Sequence, residues 1–175
     1  MSTEANENPP QINIVHLEIE HWQQFRDLRL RALKEEPTAF GQSYEDAVSL
    51  SEEDWKKRLT NRINLFASVN GILVGMVSAG QQEGAKNRHI VNVNGVYVAP
   101  EARRSGVGRK LMTQLLSELS ANDSVRKIRL TVSAPQKAAF ELYQSLGFEK
   151  VAMYKEELFV DGKYIDEYGM EKIIR

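Results

Sequence analysis

The chain has 175 residues, with 23 Lys plus Arg against 24 Asp plus Glu, a formal net charge of -1 and no cysteine. That length suits one well-buried core rather than two, and the near-neutral balance offers no electrostatic footprint for nucleic acid or an anionic membrane. Without a thiol there is no disulfide, no thiolate–metal site and no acyl-cysteine intermediate, so any chemistry falls to carboxylates, Tyr, Ser/Thr, amides and backbone.

"MSTEANENPP" is polar and lacks the apolar stretch of a secretory signal, so residues 1–10 are expected to be a disordered tail and 11–175 a single domain. No apolar run approaches the roughly 18 residues that span a bilayer, which makes a cytoplasmic protein the expectation. "INIVHLEI" (Ile12–Ile19) is β-rich and alternating, a first strand. "HWQQFRDLRLRALKEE" carries Trp22, Phe25, Leu28, Ala32 and Leu33 on one helical stripe, closed by Pro37. After "PTAFGQSYED", which reads as a loop, Ser51 and Asp54 open a second helix in capping-box fashion. Asn70-Gly71 then sits between two apolar runs, the residues a tight type I′ hairpin favours because both central positions need positive φ. Gln81–Arg88 is a loop and His89–Ala99 a strand.

From Gly106 a helix carries Val107, Leu111, Leu115 and Leu119 in an i,i+4 row. "KIRLTV" is a strand, "QKAAFELYQSLG" a helix ended by Gly147, and Asp161-Gly162 turns the terminal hairpin. The helical crossover requires the strands at 89–99 and 127–132 to run parallel. The prediction is therefore an α/β fold: a mixed sheet of about seven strands flanked by four helices. His16, His21 and His89 stand in unrelated contexts with no i,i+4 pair, and no metal site is expected.

"VYVAPEARRSGVGRKL" (Val96–Leu111) passes from strand through Gly-x-Gly into helix. A helix start leaves N–H groups unpaired, and its dipole favours negative charge. Gly106 and Gly108 present no Cβ to an approaching oxygen, and Arg103, Arg104 and Arg109 can neutralise an anion. Read from the glycines alone, an ordinary strand–helix turn with solvated arginines stays open. A Walker loop lacks its Gly-Lys-Ser/Thr, and a dinucleotide fingerprint lacks its third glycine and an early βαβ unit.

With Arg103-x-x-Gly106-x-Gly108, this stretch resembles motif A of the GNAT superfamily of N-acetyltransferases. "LTVSAPQKAAFELYQSLGFE" (Leu130–Glu149) resembles motif B of the same superfamily, and the element order is similar throughout. The resemblance implies a GNAT-like fold with acetyl-coenzyme A in a V-shaped gap between two splayed parallel strands. Its pyrophosphate would lie on Arg104, Ser105, Gly106, Val107, Gly108 and Arg109, with Arg103 opening the loop. Its pantetheine arm would pair with the backbone of Val96, Tyr97 and Val98. Motif B places a general-acid tyrosine at Tyr143 and a cofactor-contacting amide at Gln136, where Asn is usual.

Direct attack of an amine on the thioester needs an oxyanion donor, for which the Val98 N–H is the candidate, and a proton donor to the leaving thiolate. A phenol of pKa about 10 is a feasible donor to a thiolate whose conjugate acid lies near 8.5. Tyr143 also lies on an apolar stripe with Ala139, Leu142 and Leu146, so a core role is its alternative. The family's carboxylate positions fall at Asn92 and Thr131, neither of which is a base. Asn92, with Asn94 on the same strand face, can position a water; Glu83 in the preceding loop is a substitute base, and solvent is a third. The acceptor site is expected from Phe40, Tyr44, Glu83 and the terminal hairpin. The expected activity is an acetyl-CoA-dependent N-acetyltransferase acting on a small-molecule amine or a peptide N-terminus. A non-catalytic acyl-CoA-binding module and a nucleotide-diphosphate binder are the alternatives, and a homodimer through the terminal hairpin edge stays open.

Overall fold

Asn70 and Gly71 both take positive φ (51° and 81°), as do Asp161 and Gly162 (50° and 76°), so both hairpins turn as their sequences require. In the computed structural model, which describes residues 11–174, these turns help to organise one seven-stranded sheet. The tail expected over residues 1–10 lies outside the described residues. The strands are β1 (Ile12–Val15), β2 (Ile63–Val69), β3 (Ile72–Gln81), β4 (Ile90–Val98), β5 (Lys127–Ser133), β6 (Glu149–Val160) and β7 (Lys163–Ile173). Their spatial order is β1-β2-β3-β4-β5-β7-β6. Only β4 and β5 pair in parallel, joined as expected by a helical crossover, α4 of the helices named next.

Among the described residues five α-helices flank the sheet rather than four: α1 (Trp22–Glu35), α2 (Tyr44–Val48), α3 (Glu52–Thr60), α4 (Val107–Ser120) and α5 (Lys137–Ser145). The extra one, α2, is a single turn inside the stretch read as a loop. The Ser43 side chain accepts from the Asp46 N–H, and Ala47 is buried. A five-residue helix is too short for a 3.6-residue period to declare itself. The first strand also stops early, at Val15, because Ile19–His21 wind into a 3-10 turn that leads into α1.

Helices cover both faces of the sheet. Gly75 on β3 faces α4 so closely that a Cβ there would meet Leu111 and Val107 side chains at 3.0 Å. Val107, Leu111, Leu115 and Leu119 are all essentially inaccessible. Strand alternation turns Met76 to the opposite face, where its cross-strand partner Phe66 packs edge-on with Phe25 at 5.5 Å, and Phe25 in turn with Trp55 at 5.4 Å. Among the described residues no helix is long and apolar enough to cross a membrane.

The α3 start is the predicted capping box. Ser51 Oγ accepts from the Asp54 N–H at 3.2 Å, and Asp54 Oδ2 accepts from the Ser51 N–H at 3.0 Å. Ser51→Ala should cost about 1 kcal/mol, seen as a lower urea midpoint with an unchanged slope.

The feature that makes a site is where pairing fails. The parallel pairing of β4 with β5 extends only from Ile90↔Lys127 to Asn92↔Arg129. On its other side β4 carries one more residue than β3 between Asn94↔Ser78 and Tyr97↔Met76, and Gly95, inside that bulge, has a φ of 66°. A bulge bends its strand. Beyond it β4 leaves β5, while β5 continues along β7 as far as Ser133↔Glu167.

Candidate functional site

The end of β4 is backbone with hydrogen bonds to offer. The Ala99 N–H donates to the Val74 carbonyl at 2.8 Å, which makes Gly75–Val98 a non-hydrogen-bonded pair. The Val98 N–H and C=O therefore point away from β3 into the opening, where Arg103 Nε donates to the Val98 carbonyl at 3.0 Å. The same alternation turns the Val96 backbone outward. Tyr97 faces β3 with its backbone and gives its hydroxyl to Glu35 of α1.

A cleft of about 780 Å³ runs from this strand end along the start of α4 to α5. Every residue expected to cradle the cofactor lines it except Ser105, whose hydroxyl is spent on the Ala102 carbonyl at 2.6 Å. Gly106 caps α4 at a φ of 89°, with nothing within 4 Å of where a Cβ would stand. A Cβ on Gly108 would lie 3.4 Å from Leu142 Cδ2 and 3.6 Å from Val98 Cγ2, in the throat between the cleft's two walls. The bare backbone at Gly106 thus leaves open space at the helix start for an anion, beside a cleft walled by Val98 and Leu142, which fits a coenzyme A diphosphate and arm.

The three arginines differ in availability. Arg103 pairs with Glu36 at 2.7 Å, and Arg109 donates to the Ser145 hydroxyl at 2.9 Å. Arg104, held at a φ of 60°, makes no side-chain bond among the described residues. Glu36 also accepts from Gln136 Nε2 at 3.0 Å, so one carboxylate holds Arg103 and Gln136 across the mouth of the cleft. Sequence reasoning missed Glu36, for nothing in "KEEP" sets it apart from a solvated glutamate at a helix end.

Where the strands part, a smaller cavity of about 190 Å³ shares the walls Phe40, Val96, Gln136 and Tyr143 with the cleft. Tyr143 is only 5% exposed, edge-on to Phe148, and burial alone pushes its phenol above the ordinary range. Ser133 and Glu167, cross-strand partners on β5 and β7, line the same cavity. Ser133 Oγ is buried without a partner among the described residues. Glu167 has its carboxyl raised, first by burial and further by the Glu157 charge, with the Thr131 hydroxyl pulling the other way. No local motif marks Glu167 in the sequence: "DEYGME" looks like solvated strand, and only the β5–β7 pairing brings it here.

The remaining expected residues divide. Phe40 lines both cleft and junction, and Thr131 lines the junction. Asn92 and Glu83 stand outside the junction, on a cavity of about 420 Å³ that Lys57, Arg58 and Arg62 also line. Asn94, rather than Asn92, reaches the junction. Tyr44 is also elsewhere, its ring beneath Lys34 Nζ at 4.3 Å. A further cavity of about 520 Å³ continues from the junction, sharing Arg29, Gly41, Asn94 and Gly95 with it.

Comparison with known proteins bears on this geometry. Residues 22–148 match the sequence model of the Acetyltransferase (GNAT) family. The chain is 27% identical over 126 residues to L-amino acid N-acetyltransferase AaaT of Escherichia coli, covering 70% of this chain and 77% of that protein. Its fold resembles that of a GNAT-family acetyltransferase of Streptococcus pneumoniae, with a TM-score of 0.84 and 23% identity over 94% of this chain and all of the other. It also resembles that of yncA from Salmonella typhimurium, solved with its cofactor acetyl-CoA (TM-score 0.79, 20% identity, 94% of this chain and 95% of the other).

Proposed function

Because the chain belongs to the GNAT acetyltransferase family, we propose that it transfers an acetyl group from acetyl-CoA by direct attack of a small-molecule primary amine. Tyr143 serves as general acid and Glu167 as general base. The observation that carries this reading is the convergence of Tyr143 and Glu167 on one small cavity that shares walls with the cofactor-shaped cleft. A relative that is an L-amino acid N-acetyltransferase supports an acceptor of amino-acid size, as does the junction's volume of about 190 Å³.

Acetyl-CoA, when bound, supplies the activated acyl group on sulfur. The chain's own residues do the rest. The amides opening α4 and the Arg104 guanidinium receive the diphosphate. Outward-facing backbone at Val96 and Val98 pairs with an amide-bearing arm as a strand edge does. The Val98 N–H remains to stabilise charge on a carbonyl oxygen, a contribution on the order of 3 kcal/mol. Glu167 takes the proton of the incoming ammonium, its raised carboxyl being better matched to a base's task than an ordinary glutamate. Tyr143 stays protonated throughout the neutral range and donates as charge develops on the leaving sulfur. A homodimer would use β6, the sheet's edge strand, which exposes Val151, Met153 and Phe159.

The test is thiol release from acetyl-CoA across a panel of primary amines. Release well above background with amino acids is expected, and none with any amine would overturn the reading in favour of a binding module. Tyr143→Phe should lower kcat about a hundredfold or more while coenzyme A affinity stays within about twofold, since only the hydroxyl is removed. An unchanged kcat would take Tyr143 out of the role of acid.

A further inference from the structure

The cavity of about 520 Å³ beyond the junction is lined by three guanidiniums, those of Arg29, Arg58 and Arg62. None of them forms an ion pair among the described residues. Their partners are neutral amides: Arg29 and Arg58 share Gln42 Oε1, at 3.4 and 3.1 Å, and Arg62 donates to Asn94 Oδ1 at 3.2 Å. The carboxylates nearby offset this charge only in part: Asp54 raises Arg58, against burial and Arg62, and Glu83 lines an adjoining cavity with Arg58 and Arg62 without pairing with either. Asp46 lines the cavity from the exposed face of α2, and Asp54 is committed to capping α3. Other arginines of this chain do find acids: Arg31 pairs with Glu35 and Glu101, Arg103 with Glu36 and Arg129 with Glu171.

Three like charges facing one concavity repel one another, and Arg29 and Arg58 also lose hydration, so the arrangement costs stability unless an anion completes it. The cost is visible at Arg29, whose guanidinium is pushed down to about 10 by burial first and by Arg58 and Arg62 after it. Arg58 is lowered too, by burial and then by Arg62. Packing holds the cluster in place: Arg29 lies 4.4 Å over the Phe40 ring and Arg58 5.6 Å over Trp55. Guanidiniums pre-set in this way match carboxylate geometry.

Their order along the passage gives the ligand a direction. Arg29 lines both the junction and the larger cavity beyond it, whereas Arg58 and Arg62 line the larger cavity and not the junction. An amine at the junction, which Glu167 and Tyr143 also line, therefore shares that cavity with Arg29, the guanidinium offered to a carboxylate of the same molecule. Arg58 and Arg62 lie further along, where the side chain of the same molecule would end.

We propose that this arginine-lined cavity is the acceptor's anion subsite, and that the acceptor is an amino acid with a second carboxylate on its side chain. The inference rests on the N-acetyltransferase reading for its first experiment but not for its second. In the first, kcat/KM for L-glutamate and L-aspartate is compared with that for the isosteric amides L-glutamine and L-asparagine. The acids should be preferred by about tenfold or more, because a charge-assisted bond is replaced by a neutral one. Arg58→Met and Arg62→Gln should each move that ratio toward one. Acids and amides within twofold of each other in the unaltered protein, or a ratio that neither substitution moves, would overturn the proposal.

The second experiment needs no turnover. Glutarate, a dicarboxylate with no amine to acetylate, is titrated into the coenzyme A complex while the arginine side-chain NMR resonances are followed. Saturable shifts at Arg29, Arg58 and Arg62, weakened about tenfold or more in Arg58→Met, support the subsite. No shift in the unaltered protein overturns it. Glutarate binding without acetyl transfer to any amine would leave the subsite standing and remove the catalytic reading instead.

Discussion

Gly108→Val should weaken coenzyme A binding by about tenfold to a hundredfold while the protein stays folded. Gly108 sits in the first turn of α4, and its φ is not in the left-handed range, so a side chain there strains no backbone. The obstruction lies outside the helix. A Cβ would stand 3.4 Å from Leu142 and 3.6 Å from Val98, the two walls of the cleft, and valine adds two methyls beyond that point. Fitting an extra branched group into filled space costs about 1–3 kcal/mol, and Leu142 and Val98 can yield only toward the cleft that the cofactor's arm would occupy. The cost therefore divides between folding and binding, and thermal unfolding together with isothermal titration separates the two. Gly108→Ala should fall between, since its single methyl meets both walls at ordinary contact distance. Gly106 gives the contrast: a Cβ there meets open space, but its φ of 89° charges an alanine about 1 kcal/mol or more of backbone strain. A Gly108→Val protein that binds coenzyme A as tightly as the unaltered one would mean that the cofactor does not pass between Val98 and Leu142.

What was legible in the sequence was what chain-local physics controls. Two Asn/Asp-Gly pairs fix the hairpins, the Ser51–Asp54 box starts α3, and the strand–glycine–helix stretch at 96–111 marks one wall of the cleft, because each device acts over a few neighbouring residues. The strand–helix crossover also forced the parallel pair before any coordinates. Long-range placement was not legible. Glu167 reaches the junction only because β7 inserts between β5 and β6, and Arg29, Arg58 and Arg62 meet only because α1 and α3 pack on one face of the sheet. Gly95 is intermediate: an isolated glycine within "NVNGVYV" is the usual mark of a bulge, yet only the pairing shows that this bulge is where β4 parts from β5. Asn92 and Glu83 are instructive for the same reason. Asn92 and Asn94 share one face of β4, but only Asn94 lies far enough along the strand to line the cavity that Tyr143 also lines.

Glu167→Gln should lower kcat/KM by about a hundredfold or more and, at neutral pH, leave the protein slightly more stable. Both effects have one cause. Burial raises the Glu167 carboxyl above its value in the unfolded chain, so the native state binds more protons than the unfolded state at pH values between the unfolded pKa, about 4.3, and the higher folded one. Unfolding free energy falls with rising pH wherever the native state holds the extra proton. Above both values the ionised carboxylate is a net cost to the fold, and below the unfolded pKa that cost is gone. Glutamine carries no such penalty, so the stability difference between variant and unaltered protein should be largest near neutrality and vanish as pH falls past the unfolded glutamate range. In activity the same titration appears with the opposite value, because only the ionised carboxylate accepts the amine's proton. The unaltered enzyme should therefore gain kcat/KM as pH rises through the Glu167 transition, and the variant should lack that limb, retaining only the rise that follows the acceptor amine's own ionisation. Parallel pH profiles of acetyl transfer and of urea unfolding separate the alternatives. A variant that loses activity yet keeps the acidic limb would make Glu167 a wall of the cavity and return the proton to solvent. A variant destabilised at pH 7 would mean that the carboxylate is held by partners that favour its charge, against the desolvated setting between β5 and β7 that singles it out as the base.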